Sequence, residues 1–396
     1  MGFEKLTEYL DSLKEGYGVP GLDCQVMKDH QVLYRHSAGC SDFVGKRPVT
    51  GNELYDLYSC TKVVTMLAVM QLVEQGKIGL EDELSKYLPE FADMKVADNF
   101  SMDAGGPPVW PDENSPSHPA QNKLCIYHLM SMTGGFSYNL NAAPIQDLLK
   151  KNPLATTREV VAAIAKSPLL FEPGTHWAYS LGHDIMAAVI EVVSGETFGQ
   201  YLQNHIFQPL GIDEATLYFP GEKRNRQFAQ HAVDFKTQAI VTAGTGNHFR
   251  VTPLYESGGA GLTASLKAYS TVLDAVSCGG VGANGVRILS PESIATWSRN
   301  WLNEAELADF HRAGRFEYGY GLGVRTMTDP NGSQGPVGEF GWDGAAGAYA
   351  LMDPVNHVSV VYTQQVLGMI KVYSEIHPHI RDLVYEALKE QGLAHK

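Results

Sequence analysis

Strand-type patterns lie at both ends of the 396-residue chain, and helix-type patterns fill its middle. Near the N-terminus two β-rich runs, 22–27 and 32–36, flank a polar turn and predict a hairpin. From about residue 318 onward apolar and polar residues alternate, which is typical of consecutive antiparallel strands. We therefore predict an α+β fold: an antiparallel sheet, flanked by N- and C-terminal helices, that carries an inserted and mostly helical domain.

The same pattern predicts the domain boundaries. Residues 1–80 and 236–396 would form a discontinuous sheet domain, and residues 81–235 would form the helical domain. Within the latter, residues 97–122 hold several Gly, Pro and Asp residues without periodicity, which favours a lid or binding loop over a simple connector. A surface loop without a function is an equally good interpretation. The predicted late elements are strands at 318–327, 337–342, 346–352 and 358–364 and a final helix at 374–391.

Charge and cysteine usage exclude several classes of partner. Lys and Arg number 30 against 44 Asp and Glu, and the resulting net charge of -14 argues against nucleic acid and membrane partners. The longest apolar run, 63–70, is far shorter than the roughly 18 residues of a membrane span. Residues 1–17 are acidic and amphipathic, unlike a signal peptide. The odd number and wide spacing of the 5 cysteines favour free thiols, so we expect a cytoplasmic protein.

Ser59 and Lys62 are the first candidate catalytic residues. An apolar helix is predicted over 60–75, opened by Ser59, and Lys62 lies one turn along the same face. If that face is buried, the pKa of the lysine falls, and a neutral amine can take the proton of the serine hydroxyl. The alternative is a serine that caps the helix and a lysine at the surface.

Tyr179 and a glycine-rich strand are the next candidates. Tyr179 precedes a helix start; it is either an ordinary wall residue or a phenol close to Lys62, whose cation would favour a phenolate that acts as general base for Ser59. Residues 340–347 place small side chains on an expected central strand. Such glycines permit either the close approach of a substrate carbonyl or merely tight packing.

In this order, three motifs resemble those of the serine β-lactamase and penicillin-binding protein superfamily, in its class C and family VIII carboxylesterase branch. They are Ser59-x-x-Lys62, Tyr179-x-Leu181 and Trp342-Asp343-Gly344. The resemblance covers nearly the whole chain, and segments 71–78, 128–135, 171–174 and 257–262 support it. It implies a β-lactamase/transpeptidase-like fold.

The resemblance also implies roles for individual residues. Ser59 would be the acylated nucleophile, and Lys62 and Tyr179 would relay its proton. The backbone N–H groups of Ser59 and Ala345 would form the oxyanion hole. Because the two relay groups are expected to titrate jointly, neither is given a pKa of its own.

Two departures from the family pattern point to the substrate. Where class C β-lactamases usually have Asn and Lys-Thr-Gly, this chain has Leu181 and Trp342-Asp343-Gly344. The loss of the amide and of the cation should remove on the order of 2 to 5 kcal/mol from the free energy of binding carboxylate substrates. We therefore expect neutral acyl esters, held in a pocket bounded by Tyr138, Trp177, Tyr179 and Trp342. Asp343 should turn away from that pocket, or else favour a neutral or cationic substrate.

Three other patterns predict no function. Residues 280–285 match G-x-G-x-x-G but lack the preceding strand of a dinucleotide site. His183 and Asp184 are helix neighbours that point in different directions, so they cannot complete a Ser-His-Asp triad. His176 and His183 show no recognised metal-ligand spacing. We expect neither a cofactor nor a metal.

Several functions remain open. The leading hypothesis is a carboxylesterase-like serine hydrolase that acts on a small-molecule acyl substrate through an acyl-enzyme. A D-amino-acid peptidase or amidase, an acyltransferase or a weak β-lactamase would use the same site with a different pocket. A catalytically silent binding or sensor protein is the alternative of another class, because retention of the three side chains does not guarantee turnover. The sequence predicts no oligomeric state.

Overall fold

The computed structural model describes residues 2–100, 110–217, 225–244, 246–312 and 314–394. The strands of these residues are β1 (Gly21–Lys28), β2 (Gln31–Gly39), β3 (Leu54–Asp56), β4 (Lys95–Ala97), β5 (Ser117–Pro119), β6 (Ala215–Thr216), β7 (Gln230–Val233), β8 (Ile240–Gly244), β9 (Thr263–Ser265), β10 (Tyr318–Tyr320), β11 (Arg325–Met327), β12 (Phe340–Asp343), β13 (Tyr349–Asp353), β14 (Val358–Gln364) and β15 (Val366–Leu367).

The α-helices are α1 (Glu4–Tyr17), α2 (Thr61–Glu74), α3 (Ile126–Met130), α4 (Ala143–Lys151), α5 (Thr157–Ile164), α6 (Gly182–Ser194), α7 (Phe198–Leu202), α8 (Leu266–Ser277), α9 (Pro291–Ser298), α10 (Glu304–His311) and α11 (His377–Glu390). Short 3-10 turns occupy Tyr58–Cys60, Leu84–Lys86 and Pro89–Phe91, and π-helical turns occupy Gln203–Phe207 and Val372–Ile376. None of the described helices combines the length and the apolarity that a bilayer crossing requires.

The largest sheet is formed by both ends of the chain. Its seven strands lie in the order β10-β11-β12-β13-β14-β1-β2, and every neighbouring pair is antiparallel. β1 therefore pairs with β14, where Val26 lies opposite Val360. Helices α3 to α7 come from the chain between the two groups of strands. The predicted fold class, an antiparallel sheet with flanking terminal helices and an inserted helical region, is confirmed.

Apolar cores cover both faces of this sheet. On one face α1 and α11 contribute residues such as Leu10 and Tyr385. On the other face a larger core joins the sheet to α2, α6 and α8, through residues such as Met66 and Leu273. Twelve of the fourteen residues of α2 are buried, so other side chains pack around the start of this helix on all sides.

Three of the predicted strands differ from those observed. The alternation over 318–327 predicted one strand, but a turn at 321–324 divides it into β10 and β11. Gly323 adopts a φ of 84° there, and a side chain at this position would collide with Met66 and His183. β12 begins only at Phe340, because Gly338, with a φ of 89°, precedes it. β13 likewise begins at Tyr349 rather than at residue 346, after Gly347 with a φ of 88°. All three misses arise from turn glycines inside an alternating pattern.

The segment 97–122 also differs in part from its prediction. Residues near its two ends pair as β4 and β5, so part of this stretch has regular structure. Residues 101–109 lie outside the described residues, and the role of the segment stays a prediction. The proposed boundary between residues 235 and 236 falls in the turn that joins β7 to β8, two strands of one small sheet.

Candidate active site

Ser59 lies in a 3-10 turn that leads directly into α2. Ser59 therefore does not cap the helix, which was the alternative to a catalytic role: Cys60 occupies the N-cap position, and no side chain caps the helix there. Tyr58, just before the serine, has a left-handed φ of 47°, which is unfavourable for a bulky residue. Its hydroxyl donates to Gln230 Oε1 at 2.7 Å and holds the turn in place. Ser59 itself is partly exposed among buried neighbours.

Lys62 is fully buried and its amine reaches back to the serine. Lys62 Nζ lies 3.3 Å from Ser59 Oγ, donates to the carbonyl of Gly259 at 2.7 Å and lies 3.4 Å from the hydroxyl of Tyr138. Burial lowers the pKa of Lys62 to about 7, although the carboxylate of Asp184 opposes that shift. A large fraction of the amine is therefore neutral near pH 7, which lets it accept a proton.

Asp184 contributes to the electrostatics of the site, a role that the sequence did not reveal. Its carboxylate is buried and accepts hydrogen bonds from Tyr255 at 2.7 Å and from Ser257 at 2.6 Å. A side chain on Gly259 would collide with Asp184 Oδ2 and contact Lys62 Nζ at 3.3 Å, so the absence of a side chain lets the acid and the amine approach. The only sequence signal was the glycine-rich segment 257–262, which had supported the resemblance without being given a role.

Tyr179 lies between two aromatic rings. It stacks on Tyr138 with ring centres 5.2 Å apart, and on Trp342 with ring centres 5.7 Å apart. The indole N–H of Trp342 donates to the hydroxyl oxygen of Tyr179 at 3.2 Å. Lys62 Nζ lies 4.7 Å from the centre of the Tyr179 ring. The structure thus brings Ser59, Lys62 and Tyr179 together.

The protonation of Tyr179 differs from expectation. Burial raises the pKa of its hydroxyl, and hydrogen bonds with Ser59 and Trp342 only partly offset this effect. The resting residue is therefore a neutral phenol, where the sequence had suggested a phenolate favoured by the lysine cation. The physical reason is that a buried phenolate is poorly solvated and Lys62 itself is easily deprotonated.

Two backbone N–H groups are available beside the serine. In the described part of the chain, neither the N–H of Ser59 nor that of Ala345 donates to another group, and both residues are partly exposed. The end of β12 lies against the serine turn, because a side chain on Gly344 would meet the Leu57 carbonyl at 2.3 Å. This supports the tight-packing interpretation of that glycine. Donors in this position suit an oxyanion.

Asp343 lies in a buried network of charges. Its carboxylate is 2.6 Å from Arg315, 3.4 Å from Arg325 and 3.0 Å from His377 Nδ1. Burial alone would raise the pKa of Asp343, but the two guanidinium groups hold it well below its ordinary value. The acid is thus ionised, and its charge is neutralised by protein groups.

Leu181 and Trp177 are buried within the core. Leu181 is 2% exposed, and its N–H donates to the carbonyl of Ser137. Trp177 is 8% exposed and packs edge-on against Phe310 and Tyr320. Trp342 is also buried, at 7% exposure, whereas Tyr138 and Tyr179 are partly exposed. Of the predicted pocket residues, the two tyrosines therefore offer the most accessible surface.

The remaining sequence patterns lie apart from this chemistry. Residues 280–285 form the connection between α8 and α9, without a preceding strand. His176 Nδ1 is 2.8 Å from a carboxylate oxygen of Asp309, and His183 is buried with Nε2 3.2 Å from the Met130 carbonyl. Cys60, next to the serine, is fully buried, and burial raises the pKa of its thiol. It is unsuited to nucleophilic chemistry.

Comparison with known proteins agrees with this geometry. A family model described as Beta-lactamase matches residues 6–384. Esterase EstB of Burkholderia gladioli is 27% identical over 361 residues, which span 85% of this chain and 83% of the esterase. Lovastatin esterase of Penicillium rubens is 29% identical over 310 residues, 73% of this chain and 74% of that enzyme. The solved structure of EstCE1, a hydrolase with promiscuous acyltransferase activity, has a TM-score of 0.74 at 22% identity, covering 97% of this chain and 98% of EstCE1; this match shows a shared fold.

Proposed function

The chain belongs to the beta-lactamase family, and on this premise we propose that it hydrolyses small, neutral acyl esters through an acyl-enzyme on Ser59. That it is a serine hydrolase follows from the family and from its esterase relatives. The observation that carries the proposal is the 3.3 Å approach of Lys62 Nζ to Ser59 Oγ at the start of a buried helix. A hydroxyl beside a lysine of lowered pKa is an activated nucleophile.

In the acylation step the neutral amine of Lys62 takes the proton of the Ser59 hydroxyl as its oxygen attacks the ester carbonyl. The N–H groups of Ser59 and Ala345 donate to the oxyanion that forms. Collapse of this intermediate breaks the ester bond, and the proton on Lys62 passes through the hydroxyl of Tyr179 to the departing alkoxide. Water then attacks the acyl-enzyme along the same proton route, which releases the acid and restores the serine.

The charges around the pocket support a neutral substrate. Arg315 and Arg325 are both engaged by Asp343, so neither is a free cation for a substrate carboxylate. Lys62 is buried, and its amine is held by the Gly259 carbonyl. Tyr138 and Tyr179 offer aromatic surface for an acyl chain. The names of esterase EstB and lovastatin esterase agree with an ester substrate.

Acyl transfer to an alcohol or amine is the second candidate function. EstCE1, which shares this fold, carries promiscuous acyltransferase activity in its description. The reaction needs no new residue, because an acceptor alcohol can replace water in the deacylation step. A peptidase, an amidase or a β-lactamase acting on carboxylate substrates is less well supported, since Trp342-Asp343-Gly344 stands where those enzymes usually have the cation-containing Lys-Thr-Gly.

The decisive experiment compares the parent with Ser59→Ala. We expect the parent to show a burst and turnover with chromogenic acetyl and butyryl esters, and to be labelled on Ser59 by a fluorophosphonate probe. Ser59→Ala should lose both. A folded parent that shows neither labelling nor burst would instead support a catalytically silent binding or sensor protein. Turnover of penicillins or acyl-D-Ala-D-Ala as efficient as that of butyryl esters would reject the neutral-ester proposal.

We also propose a cytoplasmic location. All five cysteines are free thiols, and Cys24, Cys60 and Cys125 are buried. Free thiols are typical of proteins in reducing compartments. Fractionation of cells that express the full chain, with detection in the cytosolic fraction, tests this proposal.

A further inference from the structure

The tip of the β1–β2 hairpin meets the C-terminal end of α8, and three side chains of different chemistry converge there. They are His30, Asp274 and Cys278. Asp274 and Cys278 are four residues apart, so both project from one face of the helix. His30 occupies the second position of the hairpin turn, with a left-handed φ of 66°.

The distances among the three side chains are short. His30 Nδ1 lies 2.7 Å from Asp274 Oδ2, and Cys278 Sγ lies 3.8 Å from Asp274 Oδ1. One ligand atom from each residue can be chosen so that all three lie within 4.8 Å of one another. Among the residues that the structure describes, this is the one set of three His, Cys, Asp or Glu side chains that meets that condition.

We propose that His30, Asp274 and Cys278 bind a zinc ion. Imidazole nitrogen, carboxylate oxygen and thiolate sulfur are the usual protein ligands of zinc. Tetrahedral coordination at about 2.0 to 2.3 Å places ligand atoms roughly 3.3 to 3.6 Å apart. Side-chain movements of about 1 Å from the observed positions are therefore sufficient. The sequence predicted no such site, because His30 is far from the other two ligands along the chain.

The charges at the site also favour a cation. The carboxylate of Asp274 is buried near the C-terminal end of α8, where the helix dipole disfavours an anion. Within the described residues, His30 is its only partner at ion-pair distance. The nearby Asp29 is already paired with Lys28 at 2.8 Å and with His357 at 2.8 Å. A divalent ion would therefore stabilise a buried charge that otherwise depends on one histidine.

Access and proton balance are consistent with this assignment. His30 has a side chain that is 28% exposed, and Cys278 is partly exposed, so an ion can enter from solvent. Three protein ligands leave a fourth position for water. Binding releases the thiol proton of Cys278, and a neutral His30 offers Nδ1 to the ion by carrying its one N–H on Nε2. Thiolate, carboxylate and Zn²⁺ then sum to zero charge, which suits a half-buried site.

The proposed site is separate from Ser59 and does not rest on the esterase proposal. It lies at one end of α8, while Tyr269 near the other end donates to the Cys60 carbonyl at 2.7 Å. A bound ion would fasten the hairpin to the helix that supports the serine turn. The role proposed for the ion is to join the β1–β2 hairpin to α8.

The test uses the full chain after treatment with a chelator. Titration with Co²⁺ should give a thiolate-to-cobalt absorption band that saturates at one equivalent, and Zn²⁺ should displace the cobalt. Cys278→Ser should abolish that band, and His30→Ala and Asp274→Asn should weaken zinc binding at least about tenfold. Cys40→Ser and His36→Ala are matched controls, a partly exposed cysteine and a histidine paired with Asp11, and should leave binding unchanged.

A second measurement needs no variant. Zinc should slow alkylation of Cys278 by iodoacetamide in the parent, as measured by mass spectrometry, and leave alkylation of Cys40 unchanged. A parent that shows no cobalt band, or that binds zinc as tightly after Cys278→Ser as before, would overturn the proposal. Equal alkylation of Cys278 with and without zinc would overturn it as well, even if a variant failed to fold.

Discussion

The indole N–H of Trp342 donates a hydrogen bond to the hydroxyl oxygen of Tyr179 across 3.2 Å. The aromatic residue of the third motif thus orients the phenol of the second motif, in addition to stacking on its ring. Because the hydrogen bond engages a lone pair of the phenol oxygen, it also favours one direction for the O–H proton. Trp342 is therefore a positioning residue for the proposed proton route.

Trp342→Phe should keep the stacked ring and lose only the donor. A neutral hydrogen bond contributes about 0.5 to 1.5 kcal/mol, so kcat for a butyryl ester should fall roughly 2- to 12-fold while KM stays constant. Steady-state kinetics measure kcat and KM separately. Trp297→Phe is the matched control, because that indole donates to the Leu322 carbonyl inside the core. A rise in KM without a change in kcat would instead assign Trp342 to substrate binding.

The pH profile of acylation should follow Lys62. Its pKa is lowered to about 7, so the neutral amine that acts as base becomes more abundant as pH rises through 7. We expect kcat/KM to increase across that range and then to level off. Lys62→Arg keeps a cation that does not deprotonate, and should reduce the rate on the order of 10²- to 10⁴-fold at every pH. A flat profile in the parent would contradict the role of Lys62 as base.

Asp184→Asn should move that profile to lower pH. The carboxylate of Asp184 raises the pKa of Lys62 against the effect of burial, and its removal leaves burial unopposed. Ser257→Ala removes a hydrogen bond to Asp184 but keeps its charge, so its midpoint should remain near that of the parent. Comparison of the two pH profiles separates an electrostatic role from loss of packing. Identical midpoints in both variants would exclude the electrostatic role.

Asp343→Ala should destabilise the protein. The substitution leaves the side chain of Arg325, which is 2% exposed, without its buried counter-ion. Removal of one partner of a buried pair costs about 3 to 5 kcal/mol, measured as the free energy of unfolding in urea. Glu386→Ala removes an exposed partner of Lys5 and should change that free energy by less than about 0.5 kcal/mol. Equal effects would show that the Asp343 network is not a stabilising one.

Periodicity was sufficient to predict the architecture. Alternation near both ends predicted strands that share one sheet, and the apolar run after Ser59 predicted the buried α2. What periodicity could not show are turns inside an alternating stretch, such as the one at Gly323. Glycine there serves a close approach to Met66, which depends on tertiary packing rather than on local sequence.

The candidate site was predictable where a local spacing or a motif pointed to it. Ser59, Lys62, Tyr179 and Trp342 fall in this group. Asp184 does not, because its approach to Lys62 depends on Gly259, a residue from a third part of the chain. The left-handed φ of Tyr58 also has no sequence signal, since tyrosine is rarely found in that conformation.

The pairing of β1 with β14 also determines the order in which the protein can be completed during translation. The hairpin of β1 and β2 leaves the ribosome early, but its neighbour β14 emerges only after the whole helical insertion has been synthesised. Until then the free edge of β1 can pair with strands of other chains. Nascent chains stalled before Val358 should therefore depend on chaperones. Once β14 has emerged and paired with β1, this need should end.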